Sequence, residues 1–298
     1  MKKLVKLLMV ACMTAALVGC SSGGETDRLE QIKKQGYITL GTSPDYAPNE
    51  FYIEENGKKK VVGSDIDMAQ AIADKIGVEL RIQESDFNTV IANVQAGNVD
   101  MGISGFAWKS ERAEVVDFSD NYSRDTGETS WQGLMVRKED AEKFKTKEDV
   151  KNAKIKIGAQ TGSIQYDMAL AVVANKSDIV AVADTTSCAG LLSTGDIDAF
   201  VCTSTQAYAL METFNNITIL PEKEFNMDPD EFYDRTGVIV AKGDSSKALL
   251  EVINEVIEEA KVKDENGLDN LTKWYENAVK LMPFEIPEDQ INQLETAE

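Results

Sequence analysis

The chain has 298 residues, 51 acidic against 31 basic side chains, a formal charge of −20 and no histidine. So acidic a body is repelled by nucleic acid and by anionic headgroups. The lack of histidine excludes Ser-His-Asp and Cys-His chemistry and histidine-ligated zinc.

The start of the chain reads as an address label. Lys2, Lys3 and Lys6 make a positive stretch, and residues 7–18 are apolar but short for a bilayer span. Leu17-Val18-Gly19-Cys20 resembles the lipobox of bacterial lipoproteins, which implies cleavage before Cys20 and a diacylglycerol on its thiol. Residues 21–24 (SSGG) then form a flexible tether. No later stretch is long and apolar enough to span a bilayer. The expectation is a soluble body outside the cytoplasmic membrane, held by lipid. Removing residues 1–19 takes away three lysines and no acid, so the formal charge moves from −20 to −23. Of the four cysteines, Cys188 and Cys202 remain beyond Cys20, and their spacing fixes neither pairing nor redox role.

Residues 27–36 predict a short helix ending at a glycine, and 37–42 a buried strand. Pro44 and Pro48 bar a helix from the loop 43–51. Asn56-Gly57 is a hairpin turn. Residues 64–76 carry apolar positions Ile66, Ala69, Ile72, Ala73 and Ile76 at helical spacing. A strand over 78–82 and a helix over 87–97 follow. The second half repeats this grammar. It gives strands over 155–158, 179–182, 197–202 and 236–241, and helices over 185–192, 208–214, 248–260 and 268–281. The charged run 138–156 reads as a solvated helix face. Alternating strands and helices imply mostly parallel sheets, with ligands beyond strand C-termini.

The stretch ISGFAWKSERAEVVDF (103–118) carries the candidate site. A strand end leads to Ser104 and Gly105, where a turn presents N–H groups. Ser110 is a plausible N-cap, and Arg112 follows within the next turn. A guanidinium with turn N–H groups makes a receptor for a carboxylate, because arginine offers a planar fork of donors and stays charged.

Several blocks together resemble the family 3 solute-binding proteins of ABC transporters. They are GTSPDYAP (41–48), GSDIDMAQAIADKIGV (63–78), DFNTVIANVQAGNVDMGISG (86–105), SERAEVVDFS (110–119), GLMVRKED (133–140), IGAQTGS (157–163), GDIDAF (195–200) and GVIVAKG (237–243). They span nearly the whole mature chain. The resemblance implies an α/β, two-lobed periplasmic-binding-protein type II-like fold with mixed sheets, a hinge of two crossover strands and no cofactor. The implied division is signal peptide 1–19, lipidated cysteine, tether and first helix 20–36, lobe 1 over 37–131, lobe 2 over 132–236, and a return strand with C-terminal helices of lobe 1 over 237–298.

By the same resemblance, Arg112 grips a ligand carboxylate, assisted by an N–H or hydroxyl of Ser104 and Gly105. Tyr46 and Phe87 are aromatic walls, and Gly162 and Ser163 belong to a second-lobe loop that caps the carboxylate. Thr203 stands where members that bind α-amino acids usually carry an aspartate for the ammonium. Ser43 replaces an acid that some members use, and Ile164 and Ala107 replace hydroxyls. Candidate replacements for the missing acid are Asp125 or Glu128 in the longer segment 123–133, or the faces of Trp108 and Trp131. No buried acid is visible near the clamp, and no catalytic pair is recognisable. The implied function is the binding subunit of an ABC importer, a lipid-anchored monomer that closes on an amino acid or amino-acid-like carboxylate and partners a membrane permease. Alternatives on the same scaffold are a periplasmic dehydratase-like enzyme or a ligand-sensing receptor module.

Overall fold

A computed structural model describes residues 27–123, 131–227 and 235–282. The signal stretch, Cys20, the tether, Asp125 and Glu128 lie outside the described residues. The first lobe opens with α1 (Arg28–Gln35), capped by the Asp27 side chain, and β1 (Tyr37–Thr42). β2 (Phe51–Glu55) and β3 (Lys58–Val62) form an antiparallel hairpin. Next come α2 (Ser64–Ile76), β4 (Glu79–Glu84), α3 (Phe87–Gln95), β5 (Met101–Gly102), α4 (Ser110–Ala113) and β6 (Val116–Phe118).

The second lobe holds β7 (Gln132–Arg137), α5 (Lys147–Ala153), β8 (Ile157–Gln160), α6 (Ile164–Val172), β9 (Ile179–Val182), α7 (Thr185–Thr194), β10 (Ala199–Thr203), α8 (Ser204–Thr213), β11 (Ile217–Ile219) and α9 (Glu222–Phe225). Then β12 (Ile239–Ala241), α10 (Lys247–Ala260) and α11 (Asn270–Leu281) return to the first.

The strands form two five-stranded sheets, ordered β4-β1-β5-β12-β6 and β11-β7-β10-β8-β9. Both are mixed. β12 runs antiparallel to β5 and β6, and β7 antiparallel to β10 and β11. β7 and β12 are the strands on which the chain arrives from the other lobe, so alternation alone does not reveal their direction. The two crossings lie side by side: Ser119 N–H donates to Val238 O at 2.9 Å and Tyr122 N–H to Thr236 O at 3.0 Å.

Both faces of each sheet are covered, as buried parallel strands require. On one face of the first sheet, Ile72, Ala69 and Met68 of α2 pack with Ile32 of α1, Leu249, Ile253 and Ile257 of α10, and Leu271 of α11. The spacing of α2 puts these side chains on one stripe, and each large aliphatic buried there contributes about 1.5–3 kcal/mol. The other face is covered by Phe87, Val90 and Val94 of α3 with Phe106. The second sheet likewise separates two clusters, one around Phe225 and Met168, the other around Phe200, Cys188 and Leu192. Cys188 and Cys202 are buried free thiols in that last cluster, and burial pushes both thiols up from their ordinary pKa.

Three expectations need correction. Ser110 is the first residue of α4 rather than its cap; Lys109 takes the cap position with no side-chain hydrogen bond. The charged run 138–156 is not one helix face. It makes a 3-10 turn (Lys138–Lys143) and α5, between which Phe144 is buried, and Asp140 is buried against Arg137 at 2.7 Å. The strand expected over 155–158 is β8, shifted to Ile157–Gln160 because Lys154 ends α5 in a left-handed conformation.

Candidate functional site

The C-terminal ends of β1 and β5 in the first lobe face the ends of β8 and β10 in the second. Arg112 lies between them, 6% exposed. Its Nη1 donates to Ala107 O at 2.6 Å within the first lobe, and its Nη2 donates to Gly162 O at 2.6 Å in the second. Its guanidinium lies 5.2 Å from the Phe87 ring centroid and 6.0 Å from that of Phe106. Those rings are themselves 4.8 Å apart and tilted. The aromatic faces hold the cation by its charge and shield it from water. Phe87 is therefore as much a wall for Arg112 as for any ligand.

Two positive-φ glycines set the spacing of the site. Gly105, at φ +57, lies under the Tyr46 ring: a Cβ there would meet Tyr46 Cε1 at 2.8 Å. Gly162, at φ +77, faces Asn88 of the first lobe, and a Cβ would meet Asn88 Oδ1 at 2.8 Å. Side chains at either position would be strained by the backbone and by contact.

Beneath the 104–105 turn sit two buried acids that the sequence does not reveal, which corrects the expectation of none near the clamp. The Ser104 hydroxyl donates to Glu50 Oε1 at 2.6 Å and accepts from Ser43 N–H at 3.1 Å. Gly105 N–H donates to Asp65 Oδ2 at 3.0 Å, which also accepts from Tyr122 OH at 3.1 Å. That hydroxyl and that N–H are thus committed to the first lobe and hold the turn rigid, a different use from the expected contact with a ligand. Burial first, and then the Asp65 charge, push the Glu50 carboxyl well above its ordinary value. No donor reaches the buried Glu50 Oε2 among the described residues, so the neutral acid is the form that fits.

The second-lobe residues are mostly caps. Ser163 caps α6, accepting from Tyr166 N–H at 3.2 Å while its hydroxyl donates to Gln160 O at 2.8 Å. Thr203 caps α8 in a reciprocal box with Gln206 and is 2% exposed. Its oxygen is engaged in that box, and Gln206 Nε2 reaches Asp45 O at 3.3 Å. Trp131 is buried with its ring against Gly133, a prop at the start of β7, and Trp108 is 43% exposed.

Asp45 is the acid that sequence reading overlooked. It stands two residues after Ser43 in SPDY, and its carboxylate meets Ser43 Oγ at 2.9 Å, Gln160 Nε2 at 3.1 Å and Thr185 N–H at 2.9 Å. Desolvation raises its pKa, opposed by the Thr185 N–H bond and the Ser43 and Thr185 hydroxyls. Across the same interface Lys109 of the first lobe pairs with Asp167 of α6. An open groove of about 620 Å³ lies elsewhere, lined by Arg137, Lys138, Ser193 and Asn216. Its arginine is already committed to Asp140 and Asp198 at 2.7 and 3.0 Å.

The profile of the bacterial extracellular solute-binding proteins, family 3, matches residues 38–277. An amino-acid ABC transporter substrate-binding protein, AbpA from Streptococcus pneumoniae, solved bound to L-arginine, superposes with a TM-score of 0.72 at 32% identity, covering 86% of this chain and all of that one. The arginine-binding extracellular protein ArtP of Bacillus subtilis is 36% identical over 167 residues, 56% of this chain and 59% of that protein. A probable histidine-binding protein of Campylobacter jejuni is 26% identical over 278 residues, 93% of this chain and 99% of that protein.

Proposed function

We propose that this chain, which belongs to the bacterial extracellular solute-binding proteins, family 3, captures an amino acid or amino-acid-like carboxylate between its lobes and delivers it to an ABC permease. The family and its structural neighbours are solute-binding proteins rather than enzymes, and the two-lobed fold is theirs. The carrying observation is Arg112: a buried guanidinium between the lobes with donors directed at both. A carboxylate that takes the place of the Gly162 carbonyl meets a planar, permanently charged donor group suited to it. Lobe 1 in this reading is 37–131 with 237–298, lobe 2 is 132–236, and the protein works as a monomer. Tyr46, Phe87 and the rigid Ser104–Gly105 turn shape the first-lobe wall; Gly162, Ser163 and Thr203 shape the second.

An enclosed α-ammonium needs acceptors, and Thr203 offers one neutral oxygen already engaged in the α8 capping box. Affinity must therefore come from the ligand's side chain, which favours a larger or cationic side chain over glycine or alanine. The relatives solved or named with arginine support the same class for this chain. A thermal-unfolding screen against the common amino acids, with mass spectrometry of any co-purified solute, tests the reading. A true ligand at a hundred times its Kd adds about 2.7 kcal/mol. The expected order is L-arginine ahead of glycine and alanine. A screen in which no carboxylate solute raises Tm overturns it.

Lipid anchoring at Cys20 completes the reading. A diacyl cysteine anchors firmly where one chain is marginal. Cys20→Ala should move the protein from the detergent phase to the aqueous phase in a Triton X-114 partition. Retention of the variant with the membrane sinks the lipobox assignment.

A further inference from the structure

Asp45 belongs to the first lobe, in the loop between β1 and β2, yet apart from Ser43 its side-chain partners all lie on the second. Thr185 donates to Asp45 Oδ2 through its N–H at 2.9 Å and its hydroxyl at 3.2 Å, and the same hydroxyl is 3.1 Å from Asp45 O. Gln160 Nε2 donates to Oδ2 at 3.1 Å, and Gln206 Nε2 to Asp45 O at 3.3 Å. These donors come from the end of β8, the first residue of α7 and the first turn of α8. A single residue is thus gripped by three elements of the opposite lobe.

The donors are neutral; the N-terminus of α7 favours negative charge, and the Asp184 carboxylate that caps it opposes Asp45. The Thr185 N–H and the Gln160 amide fill the two lone pairs of Oδ2, and the Thr185 hydroxyl has one proton to share between Oδ2 and Asp45 O. Oδ2 is thereby spent on protein, while Oδ1 accepts from Ser43 Oγ within the first lobe. Thr203 acts through this contact too: its capping box fixes Gln206, whose amide completes the grip.

We propose that Asp45 is a positioning residue for capture: a latch that stabilises the closed state whatever ligand is inside. The proposal rests on the cleft-closure reading above. A contact present only when the lobes meet shifts the open–closed equilibrium by its own free energy, so it scales the affinity of all ligands by one factor. It also breaks before release, so its loss appears mainly in koff. Selectivity then belongs to the groups that touch the ligand, and overall affinity to Asp45.

The test compares wild type, Asp45→Ala and Gln160→Met for koff and Kd with L-arginine, L-histidine and L-glutamine as probes. Small-angle scattering of the ligand-free proteins is recorded alongside. Asp45→Ala should release each bound probe about tenfold faster, the scale of losing charge-assisted hydrogen bonds, with the ratios between probes kept. Gln160→Met removes one donor from the other side and gives the same sign at smaller size. The ligand-free Asp45→Ala protein should have the larger radius of gyration. A loss confined to L-arginine overturns the latch and makes Asp45 the ligand's counter-charge. Unchanged release with unchanged scattering also overturns it. If no probe binds wild type, the transport reading fails, and scattering alone decides the latch: expansion supports it, and identical curves overturn it.

Discussion

Arg112→Ala is expected to abolish useful binding of any carboxylate ligand while the far-ultraviolet circular dichroism stays that of the folded protein. The side chain leaves α4 at its last turn and makes no contribution to the sheet ladders, so the fold does not hang on it. Its loss removes the charged fork and the bond to Gly162 O that joins the lobes. Truncating one partner of an enclosed charge pair costs about 2–5 kcal/mol, or at least about thirtyfold in Kd. Arg112→Lys should fall between, because an ammonium keeps the charge and loses the planar pair of donors. Titration calorimetry on all three proteins checks this. Equal affinity in the alanine variant would remove Arg112 from the site.

Glu50→Gln is expected to stabilise the protein, and more so at higher pH. The folded protein holds the Glu50 proton at pH values where the unfolded chain, at an ordinary carboxyl value of 4.5, has released it. The native state then binds more protons than the unfolded one, so stability falls as pH rises, by about 1.4 kcal/mol per unit for one such group. The loss begins above the ordinary value and ends once pH passes the raised one. Glutamine keeps the acceptor for Ser104, does not titrate, and takes this slope away. Asp45 and Asp67 are raised as well, chiefly by desolvation, but they act equally in both proteins. Urea unfolding at pH 5 and pH 8 should show the variant gaining on the wild type as pH rises. Parallel curves would mean that Glu50 is already ionised in the fold.

These two residues also divide what the sequence exposes from what it hides. Arg112 is legible because its signal is local: a strand end, a small-residue turn and an arginine within nine residues. β1 and α2 emerge with the expected bounds for the same reason: β1 is a short buried run closed by a proline-bearing loop, and burial in α2 follows period 3.6. Glu50 is not legible. In a chain with 51 acids, a glutamate beside an asparagine looks like surface, and the Ser104 that receives it is 54 positions away. Asp45 hides more deeply: its partners stand 115, 140 and 161 positions along the chain. The resemblance likewise directs attention to Ser43 and Thr203, where an acid is missing, and away from the neighbour that carries one. β7 escapes the alternating pattern because its direction is set by the crossing between lobes rather than by a local connection.

The place of β12 has a consequence for how the protein is made. It lies between β5 and β6, pairing with both, and belongs to the last quarter of the chain. Until residues 239–241 are available, the first sheet has a vacant slot between its central strand β5 and its edge strand β6, with unpaired edges on both sides. The second lobe has no such debt, since all five of its strands lie between residues 132 and 219. The lobe that emerges second is therefore the first able to finish its sheet. Arg112, although synthesised early, gains its rigid setting only when the final segment arrives.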